Sequence, residues 1–243
     1  DHDWSAVRPI EGAVKGFVSA VLDRSPTIGV RGEATREYLN GLGFRDVDVI
    51  GCPSMFTWGD TIPVERKAAT IDEQSNVAIT ISPYRAAMGR IAMSAHARYP
   101  RLTYFAQDLP TLRLLFDGVP LPGGTPEALL PVHPGHPFFR EHRTRFYVDP
   151  WPWIDDLRSH DFSFGTRIHG TIAALLAGTP AVLLAHDART LELARYFDIP
   201  HRLLRDVPPD LDPADLHAEA DFTALHAGHA TRFETIVEYL ARN

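Results

Sequence analysis

Along this chain, apolar residues recur with two different periods, and the periods take turns. Short apolar runs, rich in β-branched and aromatic residues and bounded by Gly, Pro or charged residues, predict strands at 27–30, 46–50, 76–82, 102–106, 145–148, 162–164, 181–185 and 202–204. Between them, apolar positions three and four apart predict helices at 12–23, 88–99, 109–116, 138–142, 152–159 and 188–197. A further helix runs through Leu42, another follows Thr166 as its N-cap, and a long amphipathic helix over 222–241 closes the chain.

Strand and helix alternating in this way imply a largely parallel sheet covered on both faces, so the fold class is α/β with two Rossmann-like doubly wound domains. The polar stretch 57–74, broken by Gly59 and Pro63, reads as an interdomain connection or a surface lid. It divides residues 1–62, the C-terminal part of a first α/β domain, from residues 75–243, a second Rossmann-like domain that includes the closing helix. The first confident element is a helix, where a doubly wound domain normally begins with a strand. The first domain therefore reads as incomplete, with material upstream missing or the domain itself shortened. The Gly- and Pro-rich stretch 117–137 reads as a loop.

The segment 161–189, DFSFGTRIHGTIAALLAGTPAVLLAHDAR, carries most of the chemistry. A buried strand ends at Gly165, and Ile168, Ile172, Leu175 and Leu176 line one face of the helix that follows. Gly178 and Pro180 stop it before the next strand. In a βαβ unit ligands sit at the carboxyl ends of the strands, which is where Arg167 and His169 fall. The first turn of a helix attracts anions through its N–H groups and its dipole. An arginine adds a planar fork of donors, and a histidine adds a proton that titrates near neutral pH. Arg85 and Arg31 also follow strands. A plainer reading is open beside this one: Arg167 pairs with a surface carboxylate, and His169 is a hydrogen-bonded histidine on a helix flank.

Composition narrows the alternatives. With 243 residues, 44% hydrophobic and 23% charged, the chain has enough apolar content for one large or two modest cores. A net charge of -7 argues against nucleic acid as a partner, so an anionic substrate needs a local arginine cluster. The single Cys52 excludes an internal disulfide framework and fits a reducing compartment. No run approaches the roughly 20 apolar residues that span a bilayer, and no signal peptide opens the chain, so the expected location is cytoplasmic. GxGxxG, GxxxxGK[ST] and GxSxG are all missing, which argues against dehydrogenases, P-loop kinases and esterase-type hydrolases. His133, His136 and His142 cluster without a common zinc spacing, and no metal is expected. Trp151 and Trp153 flank Pro152 at a helix start and read as packing.

Taken together, the segments IGVRGEATREYLNGLGF at 28–44, ISPYR at 81–85 and the stretch 149–189 resemble the polysaccharide pyruvyl transferases. The specific part is Arg-x-His followed by a small-residue helix and Gly-x-Pro. The resemblance implies a two-domain architecture of the GT-B type, with the second domain binding the donor. It also implies transfer of the enolpyruvyl group of phosphoenolpyruvate to sugar hydroxyls of a polysaccharide or its lipid-linked precursor, as a pyruvate ketal. No cofactor is implied, since phosphoenolpyruvate is the donor substrate. Residue by residue, His169 is then the catalytic histidine. Arg167 and Arg85 bind the donor, with Gly165 and Thr166 in the same turn, and Arg31 and Glu33 face the acceptor sugar. His186 and Arg189 fall where the family has an aromatic and a basic residue, so His186 replaces the aromatic one. Two other readings stand: a nucleotide-sugar glycosyltransferase on the same scaffold, and a non-catalytic glycan- or anion-binding module. Oligomeric state and acceptor identity are left open.

Overall fold

In a computed structural model that describes residues 4–243, the alternation predicted from sequence is realised as eight strands and ten α-helices among the described residues. In chain order these are α1 (Glu11–Leu22), β1 (Ile28–Val30), α2 (Glu33–Gly41), β2 (Val47–Val49), β3 (Val77–Thr80), α3 (Ala87–Arg98), β4 (Thr103–Ala106), α4 (Leu109–Asp117), α5 (Pro137–Arg140), β5 (Thr144–Phe146), α6 (Pro150–Leu157), β6 (Phe162–Gly165), α7 (Ile168–Leu176), β7 (Ala181–Ala185), α8 (Ala188–Tyr196), β8 (His201–Leu203), α9 (Pro213–Glu219) and α10 (Thr223–Arg242). Short 3-10 turns at Ser5–Ile10, Pro53–Phe56 and Leu204–Asp206 complete the set.

The chain forms two compact units. The first gathers the described residues up to Thr61, then Asp187–Ile199 and Thr223–Asn243. Its parallel pair β1–β2 packs with α1 and α2 around Val18, Val30, Leu39 and Val47. The closing helix α10 belongs here. The Tyr239 hydroxyl accepts from the Gly29 amide at 3.0 Å, Arg242 pairs with Asp48, and Asn243 accepts from the Thr27 amide at 2.9 Å. Division by sequence puts this helix with residues 75–243; these bonds and its buried Ile236 group it with the first unit instead.

The second unit, Ile62–His186 and Pro200–Phe222, is built on a six-stranded all-parallel sheet in the order β5-β4-β3-β6-β7-β8. Every residue of β3, β6 and β7 is buried, as expected of strands covered on both faces. The order is Rossmann-like: the chain moves outward from β3 through β4 to β5, then returns beside β3 with β6 and moves the other way. The stretch 117–137, read from sequence as a loop, carries a satellite core in which Leu121 and Val132 pack with Leu114 of α4.

The amino ends of the central strands are tied tightly. Lys67 Nζ donates to the carbonyls of Arg158 and His160 at 2.7 and 2.8 Å and to Thr179 Oγ1 at 2.7 Å. Burial pushes the Lys67 ammonium below its usual pKa, against the pull of Asp161. Thr179 Oγ1 in turn donates to the Leu157 carbonyl at 2.7 Å, and the Asp161 carboxylate accepts from the Asn76 amide at 2.7 Å.

Candidate active site

The strands β3 and β6 are neighbours, yet their chains leave the sheet toward opposite edges. The carboxyl ends of such a pair form the crevice where doubly wound sheets bind ligands. The backbones meet closely here. Gly165 ends β6 at φ +143°, and a Cβ on it would run into the carbonyl of Thr80 at the end of β3. Only glycine permits both the dihedral and the approach. Thr166 follows, wholly buried, with its amide donating to the Thr80 carbonyl and its Oγ1 accepting from the Ser82 amide, each at 2.8 Å. The sequence assigns Thr166 as the N-cap of the next helix. The structure corrects this: Arg167 is the N-cap residue, makes no side-chain cap, and the Thr166 hydroxyl is used to hold two strands together.

Helix α7 then starts with Ile168 and carries His169, half-buried, in its first turn. Gly170 lets that turn lie close to the sheet, since a Cβ there would fall 2.5 Å from both Thr80 Cγ2 and Gln107 Nε2. The segment after β3 turns tightly, the Arg85 amide donating to the Ser82 carbonyl at 3.0 Å, and brings Arg85 to the same end of the sheet. The Arg85 guanidinium lies 5.3 Å from the ring centroid of Tyr84, whose ring in turn meets His186 at the end of β7, 6.1 Å between centroids. The predicted residues Gly165, Thr166, Arg167, His169, Arg85 and His186 thus share the carboxyl edge of one sheet.

Which helices are capped separates this crevice from its surroundings. After β4, β5 and β7, helices open on Asp108, Asp149 and Asp187, whose carboxylates accept from the amides of Thr111, Trp151 and Thr190 at 3.0, 2.9 and 2.8 Å. The helices after β3 and β6, α3 and α7, open without any side-chain cap. Buried polar atoms without a hydrogen-bond partner among the described residues gather at the same place: Thr80 Oγ1 at the end of β3, Ser82 Oγ and Arg85 Nε beyond it, and Gln107 Nε2 and Asp108 Oδ2 after β4. Sequence reasoning passed over Thr80, Ser82, Gln107 and Asp108. Below them Tyr104 is fully buried in β4. Burial, with the nearby Asp108 carboxylate, pushes its phenol pKa far up, while Thr111 and the Arg167 charge pull the other way.

The remaining predicted residues belong to the first unit. Arg31 follows β1 and is exposed, Glu33 starts α2 and pairs with Arg36, and Arg189 is exposed in the first turn of α8. Among the described residues no group of three or more His, Cys, Asp or Glu side chains is set to hold a metal ion. The histidine cluster serves its own loop: His133 Nδ1 accepts from the Gly135 amide at 2.9 Å, and buried His136 caps α5 and contacts the Leu129 carbonyl. Cys52 is buried, its Sγ 3.0 Å from Ser54 Oγ. No helix among the described residues is long and apolar enough to cross a membrane.

Three comparisons bear on these features. A family model described as polysaccharide pyruvyl transferase matches residues 5–188, most of the chain and all of the crevice just described. No curated protein matches in sequence. Among solved structures, the glycotransferase of kitacinnamycin is similar over 81% of this chain and 46% of its own, at 15% identity and a TM-score of 0.37. The UDP-GlcNAc 2-epimerase from Neisseria meningitidis bound to UDP-GlcNAc is similar over 90% of this chain and 61% of its own, at 12% identity and a TM-score of 0.42. The chain thus spans about half to three fifths of the length of these structures.

Proposed function

The chain belongs to the polysaccharide pyruvyl transferase family, a family of transferases, and on that premise we propose that it moves the pyruvyl group of phosphoenolpyruvate onto a sugar of a polysaccharide or its lipid-linked precursor. One observation carries this reading. Arg85 on one side and Arg167 with His169 on the other leave the two strands that flank the switch point, and both helices that follow lack a cap. Phosphoenolpyruvate is small and multiply anionic, and two guanidinium groups at one sheet edge with the start of α7 suit it in charge. The cytoplasm, where phosphoenolpyruvate is available, is the location that suits this donor.

In the proposed reaction C3 of the donor takes a proton and a sugar hydroxyl oxygen bonds to C2. Phosphate leaves with the electron pair of its bond to C2, and a second hydroxyl of the same sugar closes the ketal. Of the two hydroxyl protons, one replaces the proton delivered to C3 and the other ends on phosphate. His169 is the group that gives the proton to C3 and recovers one from the hydroxyl, while the arginines hold the donor and offset its charge. Arg31 and Glu33 in the first unit are assigned to the acceptor.

Calorimetric titration tests the donor. Phosphoenolpyruvate should bind saturably, and Arg167→Ala should raise its Kd by roughly tenfold or more, the scale of a lost charge-assisted hydrogen bond. Binding of a nucleotide sugar in place of phosphoenolpyruvate would overturn the reading in favour of glycosyl transfer. Binding of phosphoenolpyruvate without phosphate release across a panel of glycans would leave a non-catalytic module.

A further inference from the structure

Two buried polar side chains and a half-buried one beside the first turn of α7 have no part in this scheme. Thr80 is 1% exposed and Ser82 fully buried, yet neither hydroxyl has a hydrogen-bond partner among the described residues, and neither does Gln107 Nε2. A buried donor left unmet costs stability, so such groups are uncommon unless something outside the chain completes them. Their placement is shared. Gln107 lies against Gly170 in the first turn of α7 through its Nε2, Thr80 meets Gly170 through its methyl and Gly165 through its Oγ1, and Ser82 is held beside Thr166 by its own amide. The N–H groups of that first turn point along the helix axis, toward whatever caps it.

From this we infer that Thr80, Ser82 and Gln107, with the start of α7, form a charge-neutral subsite for the phosphoryl group of the donor, separate from the arginines. The inference rests on the donor reading above. A carboxylate is planar and presents two oxygens side by side, which fits the fork of a guanidinium. A phosphoryl group presents three terminal oxygens in different directions and is better met by several single donors around a helix start. The arginines are thereby assigned to the carboxylate and to the charge developed at C2. When the bond from C2 to the phosphate oxygen breaks, phosphate remains among the same three side chains. Inorganic phosphate is then a competitive inhibitor against phosphoenolpyruvate.

Thr80→Val and Ser82→Ala separate this role from a structural one. A hydroxyl that supports the fold lowers Tm when removed, whereas one left unmet in the free protein does not. The expected result has four parts: Tm of the ligand-free variants unchanged or raised; Kd for inorganic phosphate and for phosphoenolpyruvate raised roughly tenfold in each variant; Kd for pyruvate, which carries the carboxylate alone, unchanged; and competitive phosphate inhibition in the wild type. The subsite is overturned if wild-type protein shows no saturable phosphate binding, if both variants bind phosphate as the wild type does, or if pyruvate weakens as much as phosphate. These outcomes are distinct from failure of the donor reading. Phosphate binding lost in the variants, with no phosphoenolpyruvate binding to the wild type, would keep the subsite and remove the donor. Phosphoenolpyruvate binding equally tight in all three proteins would keep the donor and remove the subsite.

Discussion

The two ends of the six-stranded sheet are built from the same strands and treat polar groups in opposite ways. At the amino ends, Lys67 fills three acceptors, Thr179 and Asn76 are bonded, and Asp161 accepts from the neighbouring strand. His217 is the exception there, its ring unbonded and packed edge-on against Phe162. At the carboxyl ends, Thr80, Ser82, Gln107, Arg85 and Asp108 each keep a buried atom unmet, and two helices start without a cap. A parallel sheet sends all its strand exits, and so its uncommitted helix starts, to one edge. On the proposed reading, polar side chains at that edge are held for a ligand. At the other edge they close the fold.

The difference can be broken most sharply at His169. His169→Ala should lower the turnover measured by phosphate release by roughly 10²–10⁴-fold, with little change in donor Kd or in Tm. Full turnover in that variant would remove the histidine from the chemistry. The opposite edge should answer in the opposite currency. Lys67→Met leaves two carbonyls and a hydroxyl short of a donor at a partly exposed site and should cost about 1 kcal/mol, read as a Tm lowered by a few degrees, with donor Kd unchanged. A changed Kd with an unchanged Tm would erase the distinction between the edges.

The smallest effect is set by pH. Burial pushes His136, His160 and His217 of the second unit, and His229 of the first, below the usual histidine pKa of 6.5. As pH falls through that value the unfolded chain binds protons that the folded chain refuses, so stability is complete above about pH 6.5 and declines below it. The denaturant midpoint should therefore drop between pH 7.5 and 5.5, before carboxylates titrate. A flat midpoint across that range would show these rings protonated at no cost.

Much of the second unit was legible because its signals are local. NVAITIS and AVLLA are apolar on both faces, and Arg-x-His after a strand-ending glycine places charge at a helix start without knowledge of the rest of the chain. What escaped depends on which strands become neighbours. Thr80 lies inside an apolar run and Gln107 at the end of another, and nothing local shows that both will face Gly170, many residues further on. Thr166 has an N-cap's sequence but spends its hydroxyl on Ser82, a partner that exists only once β3 lies beside β6. Helix α9 did carry its signal, Asp212 as cap and Pro213 in the first turn, in too short a stretch to show a period. The grouping of α10 with β1 and β2 was invisible for the same reason as Gln107: it is decided by tertiary contact, not by the helix's own amphipathic pattern.

That grouping has a consequence for synthesis. The hydrogen bond from Thr27 to Asn243 spans 216 positions, and the one from Gly29 to Tyr239 spans 210. A ribosome adding about 5–20 residues per second exposes β1 and β2 many seconds before their partner helix exists. The second unit needs only Ile62–Phe222, so its residues are all made while the first unit still lacks its last segment. The unit translated first is therefore the one finished last, and during that interval its small apolar cluster is what a chaperone would meet.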